Sequence, residues 1–235
     1  MTENKLNALI TGAGSGIGAE TAQQLAQKNI HTIITDKNLS GLKKTEDAIL
    51  SNNGTCTVAQ LDMKDFLGID RLGMEIFKRW KKLDIMISNA ATLGTLGPIH
   101  HQINEEFIEV LNINAISNHR LIRSFDALLK NSKKPKALFL SSSLASKPKP
   151  FWGAYSVSKA ALEHIVKIWA LENNHNNLSI SIIDPGKTDT PMRKIAMPGE
   201  VSKNLNKPVD VAKSIINEIF SDKIYKGEII KVNNI

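Results

Sequence analysis

An α/β fold, a parallel sheet covered by helices on both faces, is predicted by three features of this 235-residue chain. Seven short apolar runs of strand length alternate with segments of helical period. Polar and glycine residues collect just past the C-terminal ends of those runs, at Gly12–Gly18, Asp36, Asp62, Asn89, Ser141–Ser143 and Asp184–Gly186. In a doubly wound sheet that edge is where ligands bind. The chain shows no internal repeat, low-complexity tract or linker, so a single domain over 1–235 is expected.

The first strand is expected over Leu6–Ile10 and runs into Thr11-Gly12-Ala13-Gly14-Ser15-Gly16-Ile17-Gly18, after which Ile17, Ala22, Leu25 and Ala26 set a helical period. Strand, glycine turn and helix form the context of a phosphate-binding turn. Glycines let the backbone approach a diphosphate, and the helix start offers unpaired N–H groups with a positive dipole end. The second strand, His31–Thr35, ends at Asp36, eighteen residues past Gly18. A carboxylate at that distance suits a ribose 2′-hydroxyl and repels a 2′-phosphate. NAD is therefore the expected cofactor; Lys37, which suits that phosphate, keeps NADP as the alternative. Helix capping is the competing structural role for Asp36.

The alternation continues with a helix over Leu39–Leu50, a strand over Thr55–Leu61, a helix over Phe66–Trp80 and a strand over Leu83–Ile87. A long helix follows over Phe107–Leu129, then a strand over Ala137–Leu140 and a helix over Trp152–Glu172. Ser179–Ile183, Val209–Phe220 and Glu228–Val232 complete the pattern as strand, helix and strand.

Chemistry centres on Tyr155-Ser156-Val157-Ser158-Lys159. Four residues apart on a helix, the phenol and the ammonium share one face. A cation beside a phenol favours the phenolate and should lower its pKa toward neutrality. The serine run Ser141-Ser142-Ser143 leaves the preceding strand where a hydroxyl can meet that pair.

Composition narrows the function classes. Hydrophobic residues are 42% and charged residues 23%, ordinary values for a globular chain. The single cysteine, Cys56, excludes an intramolecular disulfide framework and points to a reducing, cytoplasmic setting. No apolar run approaches the ~20 residues of a membrane span, and Met1–Lys5 carries no leader pattern. The net charge of +7 comes from scattered lysines, densest at Lys130, Lys133, Lys134 and Lys136. A basic surface that attracts an anionic cofactor is expected, with neither nucleic acid nor membrane as a partner and no metal.

Taken together, Thr11-Gly12-x-x-x-Gly16-x-Gly18, Asn89-Ala90-Ala91, Tyr155-x-x-x-Lys159 and Pro185-Gly186-Lys187-Thr188-Asp189-Thr190 resemble the motifs of the short-chain dehydrogenase/reductase family along essentially the whole chain. The stretch from Ser141 through Tyr155, with Thr190-Pro191-Met192-Arg193, is similar to its YciK-like branch of bacterial oxidoreductases. The resemblance implies a single-domain Rossmann fold that moves a hydride between a nicotinamide and a carbonyl or secondary alcohol. It implies Tyr155 as general acid/base, Lys159 as its electrostatic partner and ribose contact, and Asn114, rather than nearby Asn112, as holder of a relay water. The serine falls at Ser142, thirteen residues before Tyr155, although a local Ser-x-Ala pattern points to Ser143. Gly12, Ser15, Gly16, Ile17 and Gly18 are implied around the pyrophosphate, Asp36 at the adenosine ribose and Asp62 with Met63 at the adenine. Asn89 is implied in support of the turn, and Pro185, Gly186, Thr188 and Thr190 along the nicotinamide.

Ala91 stands where the family has glycine and is expected to crowd the turn slightly. The C-terminal Val232–Ile235 lacks the family's closing glycine segment, which bears on subunit packing. A short substrate lid is expected over 192–207, with Leu93, Leu96, Trp152 and Met192 as candidate pocket walls. A homodimer or homotetramer through the long helices is implied. The alternative function is a non-catalytic dinucleotide-binding regulatory or scaffold protein of the same fold.

Overall fold

The structure, a computed structural model, describes residues 5–232; the expectations for the first four residues and for 233–235 lie outside them. Seven strands form one parallel sheet: β1 (Asn7–Thr11), β2 (His31–Asp36), β3 (Cys56–Gln60), β4 (Ile85–Ser88), β5 (Lys136–Leu140), β6 (Ser179–Asp184) and β7 (Lys226–Lys231). Their order across the sheet is β3-β2-β1-β4-β5-β6-β7. The order reverses between β1 and β4, and such a switch point leaves a crevice beyond the strand ends.

Successive residues of a strand point to opposite faces, and the core divides accordingly. Leu9, Ile33, Met86, Ala137 and Phe139 pack on one side with Ile69, Ile76, Leu121, Phe125, Leu162 and Trp169. Their sequence neighbours Ala8, Ile10, Ile34, Ile85, Ile87 and Leu138 pack on the other with Ile17, Leu25, Val211 and Ile215. The first layer of helices is α3 (Phe66–Trp80), α4 (Asn104–Leu111), α5 (Ser117–Lys130) and α6 (Gly153–Glu172). The second is α1 (Gly16–Gln27), α2 (Leu39–Ser51) and α8 (Pro208–Phe220). Both faces of β1, β4, β5 and β6 are therefore buried, which is why those strands read as continuous apolar runs.

Two departures matter for the site. The helix expected without interruption over Phe107–Leu129 is broken by a π-helical turn at Asn112–Ile116, between α4 and α5. The extra residue of a π turn leaves the apolar period nearly intact, so periodicity passes over it. The segment expected as a lid opens with a short helix, α7 (Pro191–Ala196). Its start is set by Thr190, whose hydroxyl accepts from the Arg193 N–H at 3.2 Å, and by Pro191 in the first turn.

Candidate active site

A cleft of about 270 Å³ opens beyond the strand ends at the switch point. Its floor at one end is the glycine turn. Gly12 and Gly16 hold φ of +66° and +55°, a left-handed backbone that favours glycine. A Cβ on Gly12 would sit 2.8 Å from the Ala90 Cα, and one on Gly18 2.3 Å from the Gly12 carbonyl oxygen. Gly18 therefore lies behind the turn and lets α1 close on β1; Gly12, Ser15, Gly16 and Ile17 face the cleft. Ser15 precedes α1 without capping it, and the first turn of α1 has no acidic residue. A cradle only glycine fits, facing an uncapped helix start, suits a diphosphate; the residues fit a dinucleotide.

Asn89 locks this turn to β4. Its amide donates to the carbonyls of Thr11 and Gly12, both at 3.0 Å, while the Thr11 hydroxyl accepts from the N–H groups of Asn89 and Ala90 at 3.0 Å. Ala91 lines the cleft and its φ is not positive, so the side chain forces no left-handed backbone there. Asp36 reaches the cleft from the end of β2. Its two carboxylate oxygens accept from the N–H groups of Gly14 at 3.1 Å and Asn38 at 2.9 Å, and Lys37 lines the cleft beside it. At the end of β3, Leu61 and Met63 line the cleft while Asp62 does not; the Asp62 carboxylate accepts from the Lys64 N–H at 2.9 Å. Alternation along an extended chain makes Leu61, not Asp62, the companion of Met63.

Tyr155 and Lys159 share one face of α6 and both line the cleft. The Lys159 ammonium donates to the Leu140 carbonyl at 2.8 Å and lies 5.8 Å from the centre of the Tyr155 ring. Burial dominates the titration of both groups. It pushes the phenol up to about 12, against the neighbouring Ser142 hydroxyl, which pulls it down. It brings the ammonium down to about 8, with the Glu163 charge opposing. The lowered phenol expected from the sequence is thus reversed, because burial penalises the phenolate more than the surrounding charges favour it.

Ser142, extended at the end of β5, lines the cleft, whereas Ser143 is exposed and starts a 3₁₀ turn (Ser143–Ala145). Ser141 lies just past the strand and also lines the cleft; its N–H still donates to the Ile183 carbonyl at 2.8 Å and its hydroxyl donates to Glu163 at 2.8 Å. Asn114 is fully buried in the π turn and does not line the cleft. Its amide donates to the Thr92 carbonyl at 2.8 Å and the Ser158 hydroxyl at 2.9 Å, and it accepts from the Thr92 N–H at 2.8 Å. Both donors are committed to protein, so the side chain pins the loop after β4 to the helix that carries Tyr155 rather than holding a water through its N–H groups.

Pro185, Gly186, Thr188 and Thr190 line the far end. Leu93, Trp152 and Met192 form walls and Leu96 does not reach them; the Trp152 ring meets the Tyr155 ring edge-on at 5.9 Å. Arg193 and Leu144 also face the cleft; both fall in stretches that carry the family resemblance but are not singled out there, because their placement depends on α7 and the turn after β5 folding over it. Among the described residues no cluster of three or more metal-ligating side chains occurs, and no helix is long and apolar enough to cross a membrane.

A dinucleotide cradle with a serine, a tyrosine and a lysine at one cleft defines an oxidoreductase of the nicotinamide-dependent class. The sequence model of the short chain dehydrogenases matches residues 6–200; the chain belongs to the short-chain dehydrogenase family. It is 30% identical over 208 residues to the uncharacterised oxidoreductase YciK of Escherichia coli K12, covering 86% of this chain and 81% of that protein. A short chain dehydrogenase of Shigella flexneri, solved with NADP, superposes with a TM-score of 0.92 at 28% identity, covering 97% of each chain. Another, from Escherichia coli CFT073 with NADPH, gives 0.91 at 26% identity, covering 98% of this chain and 99% of that one.

Proposed function

We propose that the protein reduces a carbonyl, or oxidises the corresponding secondary alcohol, with Tyr155 exchanging the proton at the substrate oxygen. The observation that carries this reading is the meeting of Ser142, Tyr155 and Lys159 at the cleft that the glycine turn floors. A nicotinamide cofactor, when bound, supplies or accepts the hydride. Ser142 orients the substrate oxygen beside the phenol, both side chains lining the same cleft. A protonated Tyr155 is a ready acid for a developing alkoxide, and a phenol is protonated at neutral pH. Lys159 places a positive charge beside the phenol and steadies the phenolate that proton transfer leaves. Asn114 acts as a positioning residue through Thr92 and Ser158. Leu93, Leu144, Trp152 and Met192 favour an apolar carbonyl compound, closed over by the segment 192–207. The single free Cys56 suits work in the cytoplasm.

The test is Tyr155→Phe, measured on a panel of ketones and secondary alcohols. The expected loss of turnover is ~10²–10⁴-fold, with cofactor binding unchanged. A wild-type protein that binds the cofactor yet turns over nothing in the panel would instead favour a non-catalytic dinucleotide-binding protein.

For the cofactor we favour NADP(H). Lys37 lines the cleft next to a carboxylate already held by two main-chain N–H groups, and two similar proteins were solved with NADP and NADPH. NAD(H) is the second reading, because the Asp36 carboxylate in the same cleft repels a 2′-phosphate. Lys37→Ala should weaken NADPH binding about tenfold, one charge-assisted contact, and leave NADH unchanged. Equal loss for both cofactors removes Lys37 from phosphate recognition.

A further inference from the structure

Behind the Tyr155–Lys159 pair sits a third polar group of α6 that the reaction does not touch. Glu163 lies one helical turn past Lys159, on the same face, and is 6% exposed. One carboxylate oxygen accepts from the buried Ser141 hydroxyl at 2.8 Å and the other from the Lys167 ammonium at 3.2 Å. A carboxylate gains little from a half-exposed lysine alone, and burying it costs several kcal/mol unless its partners compensate. Its position is informative. Ser141 and Ser142 directly follow β5, and Lys159 donates to Leu140, the last residue of that strand. Glu163 therefore joins the strand end that presents the serine to the helix that presents the phenol and the ammonium.

We propose that Glu163 is a second positioning residue of this site: its charge holds Lys159 as an ammonium, and its bond to Ser141 fixes the segment that carries Ser142 against α6. The proposal rests on the reaction assigned above. The charged and titratable groups facing the pair are Glu163 and Tyr155 on α6, Asp184 at the end of β6 and Arg193 on α7, with Lys167 beyond Glu163. Asp184 and Arg193 oppose each other at the phenol. Glu163 is the charge that opposes desolvation of the lysine, and Leu140 contributes only a neutral carbonyl.

Two variants separate the charge from the tie. Glu163→Gln keeps an acceptor for Ser141 and removes the charge. Ser141→Ala removes the tie and keeps the charge. The Lys159 side chain is followed by NMR titration in the full chain, and the alkaline limb of the pH–turnover profile is measured on a substrate found by the panel above. In Glu163→Gln the lysine midpoint and the alkaline limb should both move down by about one pH unit, and Glu163→Asp should restore part of the shift. In Ser141→Ala the lysine midpoint should stay in place. A lysine midpoint in Glu163→Gln equal to that of the wild type overturns the proposal, as does a shifted midpoint with an unmoved alkaline limb. The NMR titration needs no turnover, so its outcome is separate from failure of the assigned reaction.

Discussion

Lys159 shows most directly how function opposes stability at the level of one residue. It is 3% exposed and its ammonium has one neutral partner, the Leu140 carbonyl. Burial lowers its pKa to about 8 from an ordinary value of 10.5. The sign follows from linkage. A lysine whose folded pKa lies below its unfolded one weakens the fold wherever the unfolded chain holds the extra proton. The penalty is full below about pH 8 and disappears as the pH rises to 10.5. Lys159→Met should abolish turnover yet stabilise the fold at neutral pH by about 1–4 kcal/mol. Denaturant unfolding should show that gain shrinking toward pH 10.5, and a variant less stable than wild type at pH 7 would contradict it. The sequence placed Tyr155 and Lys159 on one face correctly, because helical spacing is local. It gave the phenol the wrong direction of shift, because desolvation depends on what closes over the ring.

At the level of elements, the glycine turn was the most legible part and the π turn the least. The turn reads directly because each glycine meets a local steric demand. Gly18→Ala tests that demand: its Cβ would lie 2.3 Å from the Gly12 carbonyl oxygen and 2.5 Å from the Asn89 amide nitrogen. The expected cost is about 1–3 kcal/mol of unfolding free energy, with weaker cofactor binding. Gly97→Ala is the control, since a Cβ there meets nothing within 4 Å and its φ is not positive; it should stay within about 0.5 kcal/mol of wild type. The segment 192–207 was legible as a candidate lid but not in its local structure. In the structure Arg193 grips Glu200 through two N–H groups, at 2.5 and 2.7 Å. The Asn206 N–H donates to the Lys187 carbonyl at 2.8 Å, returning the segment to the loop after β6. These are contacts across seven and nineteen residues that no periodicity encodes.

At the level of the whole molecule, the long helices beside the site carry apolar side chains that the chain leaves uncovered. Ile116 in the π turn and Val157 on α6 are 44% and 43% exposed, and Ile108 on α4 and Ile168 on α6 exceed half. We expect a homo-oligomer formed through α4, α5 and α6. Sedimentation of the wild type should give a dimer or tetramer, and Ile116→Glu combined with Val157→Glu should reduce it to the monomer. A wild-type monomer at micromolar concentration would refute this. Tyr155 stands on α6 and Asn114 in the π turn between α4 and α5, so association would also stiffen the support of the site.

Strand and helix alternation, the glycine turn, the Tyr155–Lys159 spacing and the polar strand ends were determined by the sequence alone, because each is a local pattern set by backbone geometry and side-chain period. Only the tertiary structure decided that Ser142 and not Ser143 enters the cleft, that Leu61 replaces Asp62 there, that Asn114 braces a loop and that Glu163 backs the lysine. Those outcomes depend on which groups distant segments bring together and how much water they exclude, and neither quantity is carried by any single stretch of the chain.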